Sequence, residues 1–157
     1  MNEAKVAVFF YGSYMNPDVL SEVGLALDPF QTATLCGFDI RIGPLANLVR
    51  ADGRCVYGIL TVASHAQLTR LYAHARDVLG GTNLPHPVVV ETQHGHLTPA
   101  LCYLAPALDP APASSDYIDR IIKPARQHGF PDWYIARLDS FRPRPATAEP
   151  VPVTKSS

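Results

Sequence analysis

An apolar strand that ends in a glycine and a serine is the feature that most constrains this chain. The run from Val6 to Phe10 is continuous, β-branched and aromatic, which predicts a central strand from Lys5 to Tyr11. The strand breaks into Tyr-Gly-Ser-Tyr-Met just before Asn16-Pro17, a typical helix start with Asn as the cap and Pro at the first helical position. Such a loop leaves backbone N–H groups free to bind an anion, so it is a candidate ligand site.

The same loop also has a purely structural interpretation. Gly12 would let a ligand approach the backbone closely, and Ser13 would add a hydroxyl donor that can reorient. Alternatively, Gly12 serves a tight turn and Ser13 satisfies its own backbone. The loop by itself favours the structural interpretation, and further motifs are needed to favour a ligand.

Composition narrows the class of protein. The chain has 157 residues, 47% of them hydrophobic and 17% charged, which predicts one folded domain and excludes a disordered chain. A net charge of -1 without a basic stripe argues against nucleic-acid binding. No apolar stretch approaches the roughly 20 residues of a membrane span. We expect a soluble, cytoplasmic domain over residues 1–141, followed by a flexible tail over residues 142–157 that is rich in Pro, Thr and Ser.

The cysteines and histidines give no metal-binding pattern. Three cysteines lie far apart in apolar runs, and their odd number without a CxxC spacing argues against a disulfide scaffold and a zinc site. We expect three buried thiols in a reducing compartment. Three histidines surround a predicted hairpin and are expected in an exposed turn, so neither a metal nor an organic cofactor is predicted. These residues are Cys36, Cys55 and Cys102, and His86, His94 and His96.

The pattern along the chain predicts an α+β fold, a small mixed β-barrel or sheet flanked by helices. Asp52-Gly53 is a hairpin signal between two of the strands, and Pro124 predicts a kink or a break in the third helix. After the first strand, the further strands are expected at Thr32–Ile42, Leu45–Val49, Arg54–Val62, Val88–Thr92 and Thr98–Ala105. Helices are expected after Asn16, from His65 to Val78 with Ser64 as cap, from Ser114 or Ser115 to His128, and from Trp133 to Phe141.

Three segments in this order resemble the gamma-glutamylcyclotransferase-like family. The first is the Tyr-Gly-Ser loop followed by Met15, although Tyr14 stands where the family usually has Asn. The second is Ala46-Asn47 ahead of a Val-x-Gly strand, and the third is the helical tail of bacterial members. The quoted stretches are Phe10–Met15, Ala46–Val49 with Asp52-Gly53 and Val56–Leu60, and Asp116–Ile122 with Ala125–Pro131 and Tyr134–Leu138.

The resemblance implies a substrate site and a reaction. In the family, the loop holds a substrate carboxylate or carbonyl, and the substrate's own amine attacks its gamma-amide to give 5-oxoproline and a released amine. Late tyrosines line the pocket in some members, although such tyrosines serve equally well as core residues. The substrate-binding residues implied here are Tyr11, Gly12, Ser13, Tyr14, Met15, Asn47, Tyr103 and Tyr117.

The family's acid–base glutamate has no counterpart in this sequence. Depending on the register, the expected Glu falls on Ala75 or on Gly80. Asp77 is the nearest carboxylate, with His74 one turn earlier, and Glu91 in the next strand is a more distant candidate. Asp77 can equally be a solvated charge near a helix end, where a negative charge is mildly unfavourable.

Two functions therefore stay open. The first is cofactor-independent cyclisation of a small gamma-glutamyl amide or a related amino-acid derivative, with a group such as Asp77 replacing the Glu. The second is a catalytically silent protein that binds a small ligand with a carboxylate, or that serves as an interaction module. The sequence leaves the substrate, the leaving group and the oligomeric state open.

Overall fold

A closed barrel of five strands forms the centre of the computed structural model, which describes residues 4–26, 29–106 and 109–143. Around the barrel the strand order is β1-β3-β2-β4-β5. Neighbours are antiparallel except β1 and β5, which run parallel and meet at Val8 and Leu101. The strands are β1 (Lys5–Phe10), β2 (Gln31–Ile42), β3 (Ala46–Ser64), β4 (Leu84–Thr92) and β5 (Leu97–Leu104). The predicted α+β class, a barrel flanked by helices, is confirmed.

The long hairpin of β2 and β3 differs from its prediction in one place. Gly37 marks a bulge in β2, since the register shifts between Cys36 and Phe38. The predicted turn at Asp52-Gly53 is wrong, because β3 runs continuously through these residues. The hairpin turns instead at residues 43–45, and residues 51–54 lie between two paired segments of β3 without a partner in the β2 register.

Close packing between β1 and β3 explains the glycine of the Val-x-Gly segment. A Cβ atom at Gly58 would lie 2.3 Å from the carbonyl oxygen of Phe10 and 2.6 Å from the ring of Phe9. Only glycine fits at such a close approach of two strands. The barrel interior beside it is filled by side chains that are essentially inaccessible to solvent, among them Val8, Ile40, Val56, Ile59, Val90 and Cys102.

The part of the chain that the structure describes has four helices beside the barrel: α1 (Pro17–Ser21), α2 (His65–His74), α3 (Ser115–Gln127) and α4 (Asp132–Asp139). Two shorter turns matter for the site, a 3₁₀ turn at Ser13–Met15 and a π-helical turn at Ala75–Leu79.

The predicted helix caps are confirmed. Asn16 accepts from the N–H of Asp18, and Ser64 forms a reciprocal capping box with Gln67. Ser114 caps α3, which continues through the buried Pro124 without the predicted break. Gly80 ends the π-helical turn at a φ of 87°, a left-handed conformation that favours glycine.

Polar contacts hold α3 against the segment that follows β1. The side-chain amide of Asn16 donates to the carbonyl oxygen of Arg120 at 3.0 Å. The guanidinium of Arg120 pairs with Glu22 at 2.9 Å, and Lys123 pairs with Asp18 at 3.2 Å. These contacts fix α3 beside the Tyr-Gly-Ser loop.

The expectation of three free thiols is wrong. Cys36 and Cys55 face each other across β2 and β3 and form a disulfide, whereas Cys102 is buried and free. Register brings together two cysteines that are 19 positions apart, and Cys36 is exposed rather than buried. The expectation of a reducing compartment rested on three free thiols. With two of them in a disulfide, the cysteines no longer support a cytoplasmic location.

The remaining sequence predictions concern the membrane and the tail. No helix in residues 4–26, 29–106 and 109–143 is long and apolar enough to cross a membrane. Arg142, at the start of the predicted tail, is anchored by an ion pair with Asp119 at 2.6 Å. Residues 144–157 lie outside the described residues, as do residues 107 and 108 of the proline-rich connector.

Candidate functional site

A small cavity of about 50 Å³ lies where β1 ends. Its wall is built from the Tyr-Gly-Ser loop, the β2–β3 turn, α2 with the π-helical turn, the end of β5, and α3. Five tyrosines line it, namely Tyr11, Tyr14, Tyr72, Tyr103 and Tyr117. Gly12 and Ser13 lie on the same wall, so the structure brings together six of the eight residues predicted to bind substrate.

The first N–H groups of the Tyr-Gly-Ser loop are not used in the hydrogen bonds of the described residues. Met15 donates to the carbonyl of Gly12 at 3.1 Å, and Asn16 donates to that of Ser13 at 2.9 Å, which closes the 3₁₀ turn. Among the hydrogen bonds of the described residues, none has the N–H of Gly12, Ser13 or Tyr14 as its donor. Orphan donors of this kind are typical of the first turn of a helix.

Tyr117 lies on α3 and lines the cavity, where its hydroxyl oxygen makes polar contacts. It accepts the N–H of Ala46 at 2.9 Å. Burial raises the pKa of Tyr117, and the interactions with Ala46 and with the side chain of Ser13 oppose that rise. A phenol has one proton and two acceptor positions, so its O–H remains available as a donor.

Tyr11, Tyr72 and Tyr103 form a rigid aromatic wall. The rings of Tyr72 and Tyr103 stack with their centroids 3.9 Å apart and 12° between their planes. The hydroxyl of Tyr11 donates to the carbonyl of Tyr103 at 2.7 Å. Burial raises the pKa of Tyr11, Tyr72 and Tyr103, so all three hydroxyls are neutral at physiological pH.

Tyr14 connects the cavity to His74. Its hydroxyl donates to the carbonyl of Leu71 at 3.0 Å and lies 3.2 Å from Nδ1 of His74. His74 itself is half-buried and does not line the cavity. It therefore reaches the ligand space only through the Tyr14 hydroxyl.

The two residues on which the expected glutamate falls lie in different places. Ala75 is 2% exposed and lines the cavity beside Tyr72, whereas Gly80 lies past the π-helical turn, outside the wall. Residue 75 therefore presents a methyl group to the cavity. None of the described residues lining this cavity is Asp, Glu, His, Lys or Arg, so its wall is uncharged.

The carboxylates predicted as replacements lie elsewhere. The side chain of Asp77 is 64% exposed and pairs with Arg76 at 2.9 Å. The hydrogen bond from Arg76 lowers the pKa of Asp77. Glu91 is exposed on β4 and lines a different groove, together with His128. Neither residue lines the cavity.

Two of the predicted binding residues, Asn47 and Met15, are not among the residues that line the cavity. The side chain of Asn47 accepts from the N–H of Ala105 at 3.0 Å and donates to its carbonyl at 2.7 Å, which fixes a residue that lines the cavity. Met15 is fully buried and lies outside the lining.

Sequence reasoning missed Tyr72, Ala75 and Asn83 as wall residues. Tyr72 and Ala75 follow the apolar period of α2, a spacing that is typical of core residues. A tyrosine at a core position near the helix end was the available signal, because its hydroxyl requires a polar partner.

Comparisons with known proteins define the fold. No family model matches the chain, and no curated protein matches its sequence. Among solved structures, a gamma-glutamyl cyclotransferase is 23% identical with a TM-score of 0.78, over 93% of each chain. An uncharacterized human protein is 22% identical with a TM-score of 0.78, covering 98% of this chain and 95% of its own. A yeast gamma-glutamyl cyclotransferase specific to glutathione is 13% identical with a TM-score of 0.60, covering 89% and 98%.

These similarities establish the gamma-glutamyl cyclotransferase-like fold of this chain and confirm, at that level, the resemblance found in its motifs. Identities this low carry no information about activity.

Proposed function

We propose that this protein binds a small polar ligand with a carboxylate or carbonyl group in the tyrosine-lined cavity and does not turn it over. The observation that carries the proposal is the position of Ala75, whose methyl group lies at the cavity wall where a catalytic carboxylate was expected. The proposal corresponds to the silent-binder alternative of the sequence analysis.

The wall lacks an acid–base group suited to neutral pH. Cyclisation of an amide needs a base for the attacking amine and an acid for the leaving nitrogen, which typically contributes about 100-fold to 10,000-fold. A catalytic pKa should lie near the operating pH, yet burial raises the pKa of Tyr11, Tyr72 and Tyr117 further from it. Tyrosines of this kind bind well as neutral hydroxyls and are poor proton carriers.

The same wall offers hydrogen-bond donors. The N–H groups of Gly12, Ser13 and Tyr14 have no acceptor among the described bonds, and Tyr117 retains its own O–H. Hydrogen bonds to a charged acceptor are worth about 1.5–3 kcal/mol each. A carboxylate or a carbonyl oxygen is the group that this set of donors fits.

The test runs binding and turnover on one panel of ligands. The panel contains gamma-glutamyl amines, glutathione (the substrate named for the yeast structure) and small carboxylic acids. Calorimetry is expected to show binding of members of the panel, and an assay for 5-oxoproline is expected to show no release. Rapid release from any gamma-glutamyl compound would contradict the proposal, and so would the absence of binding across the whole panel.

The contact between Tyr14 and His74 favours a second candidate, slow cyclisation of a gamma-glutamyl amide. In this scheme the substrate amine forms the new C–N bond as the amide C–N bond breaks. The amine proton passes through the Tyr14 hydroxyl to His74 and returns to the leaving nitrogen. The 3.2 Å distance between the hydroxyl and Nδ1 supports such a relay.

Two variants separate this candidate from background turnover. His74→Gln removes the titrating ring, and Tyr14→Phe removes the hydroxyl that connects it to the cavity. If the relay operates, both variants lose slow 5-oxoproline release, while Asp77→Asn, in an exposed residue outside the cavity, keeps it. Equal release by all the variants would exclude the relay.

A further inference from the structure

We infer that the cavity selects ligands that carry no ammonium group, so that small acids and amides without a free amine bind in preference to their amino-acid counterparts. This inference rests on the proposed function, because it specifies the ligand class of the same cavity. The chemistry of the cavity wall supports it in three steps.

The first step concerns charge. None of the described residues that line the cavity is a carboxylate, and the nearest acidic side chain of α2 and its π-helical turn, Asp77, is exposed and paired with Arg76. Burial raises the pKa of Tyr11, Tyr14 and Tyr72, so none of them supplies a tyrosinate at neutral pH. An ammonium moved from water into this cavity would have no counter-ion, and a buried unpaired charge is strongly unfavourable.

The second step concerns hydrogen bonding. An ammonium has three donors and no acceptor, so it needs acceptor atoms around it. The oxygen of Tyr117 already accepts from the N–H of Ala46, and its O–H donates in none of the hydrogen bonds of the described residues. Together with the N–H groups of Gly12, Ser13 and Tyr14, this O–H makes the wall richer in donors, which suits an ester, amide, hydroxyl or carboxylate oxygen better than an ammonium.

The third step concerns the aromatic rings, which could in principle attract a cation. Tyr72 and Tyr103 stack on each other at 3.9 Å, so each has one face covered. The ring of Tyr14 is packed between Phe10, at 6.1 Å, and Tyr72, at 5.6 Å, in edge-to-face contacts. Each stacked ring keeps one other face, and cation–π attraction at a ring face is weaker than the pairing with a carboxylate that a buried ammonium requires.

The test compares two ligands of nearly equal size, the gamma-methylamide of glutamic acid and the gamma-methylamide of 2-hydroxyglutaric acid. They differ in one substituent, an ammonium in the first and a hydroxyl in the second. Calorimetry on the wild-type protein is expected to show at least about 10-fold tighter binding of the hydroxy compound, a difference of about 1.4 kcal/mol. Equal affinity, or tighter binding of the glutamic acid derivative, would overturn the inference and leave the proposed function standing.

Substitution of Ala75 tests the cause of the preference. Ala75→Glu places a carboxylate at the wall and is expected to reduce or reverse the ratio of affinities, while Ala75→Gln, of similar volume but neutral, keeps the wild-type ratio. An unchanged ratio in a folded Ala75→Glu protein would overturn the electrostatic explanation. If that variant does not fold, the wild-type comparison still decides the inference. If the wild-type protein binds neither compound, the proposed function fails for this ligand class and the inference fails with it.

Discussion

The hydroxyl of Tyr14 lies 3.0 Å from the carbonyl oxygen of Leu71 and 3.2 Å from Nδ1 of His74. Because the hydroxyl has one proton, it donates to Leu71 when Nδ1 of His74 carries a hydrogen, and it can donate to His74 in the tautomer whose Nδ1 accepts. The Tyr-Gly-Ser loop is thereby connected to the end of α2, directly before the π-helical turn that carries Ala75.

We expect Tyr14→Phe to lower the free energy of unfolding by about 1 kcal/mol, the usual net value of one hydrogen bond. The loss stays this small because the Leu71 carbonyl still accepts the N–H of Ala75. Urea denaturation measures the change, with Tyr103→Phe as the control, since the described hydrogen bonds include none by the Tyr103 hydroxyl. An equal loss in both variants would show that ring packing, and not the Tyr14 bond, sets the cost.

Gly12→Ala is expected to weaken ligand binding about tenfold. The new methyl group would lie 3.0 Å from the Cβ of Ala46, so the loop must shift and its N–H groups move with it. Overpacking of this kind costs about 1–3 kcal/mol. The double variant with Ala46→Gly removes the clash and should recover most of the affinity in calorimetry. Unchanged affinity in Gly12→Ala would remove the loop from the ligand site.

Stability should fall at alkaline pH because of the buried tyrosines. Burial raises the pKa of Tyr11, Tyr14, Tyr72 and Tyr117 above the value of about 10 of an exposed phenol. The unfolded chain releases these protons first, so their contribution is complete below pH of about 10 and is lost as the pH rises through the folded-state values. Urea denaturation across this range, with tyrosinate absorbance in parallel, measures the effect. Native tyrosines that all titrate near 10 would contradict it.

Thiol chemistry should separate the three cysteines. The disulfide removes Cys36 and Cys55 from reaction, and burial raises the pKa of Cys102 to about 12, which suppresses its thiolate. A thiol reagent is expected to label none in the native oxidised protein, one after unfolding, and three after unfolding and reduction. Reduction should also lower the free energy of unfolding by about 3 kcal/mol for a loop closed over 19 positions. Two reactive thiols in the unreduced, unfolded protein would contradict the disulfide.

Local features were predictable from the sequence, and long-range pairing was not. Ser64 and Gln67 form a capping box at the positions where the helix start was predicted, because both partners lie within one turn. The Cys36–Cys55 bond depends on the register of a hairpin that turns at residues 43–45, whereas the sequence placed a turn at Asp52-Gly53. When the turn is misplaced, the predicted register of the two strands is wrong, and the residues that face each other cannot be identified.

In the cavity, too, local features were predictable from the sequence and long-range ones were not. The Tyr-Gly-Ser loop was predicted because strand, glycine and helix cap are contiguous in sequence. The choice between Ala75 and Gly80 stayed open because the family motif aligns with this sequence in two registers, and the π-helical turn over Ala75–Leu79 departs from the 3.6-residue period that sequence reasoning uses. The exposure of Asp77 follows from the same turn together with its pairing to Arg76.

The last prediction concerns Ala75→Glu, which places a carboxylate at the cavity wall. Ala75 is 2% exposed, so the new side chain would be partly buried among Tyr14 and Tyr72, and burial raises the pKa of a carboxyl group. A raised pKa allows the group to take a proton from an attacking amine and return it to the leaving nitrogen. We expect 5-oxoproline release from gamma-glutamyl amines to rise at least about 100-fold above the wild-type rate, the lower end of the acid–base contribution.

The matched controls are Ala75→Gln, which has nearly the same volume without the titrating group, and Asp77→Glu, which lengthens a carboxylate that points to solvent. Neither should gain turnover, and melting temperatures identify any loss due to misfolding. A gain in Ala75→Glu alone would assign the missing catalytic position to residue 75. No gain in a folded Ala75→Glu protein that still binds the substrate would show that the wall has lost more than its carboxylate. Equal gains in the Gln variant would show that added volume, and not proton transfer, had limited the wild-type protein.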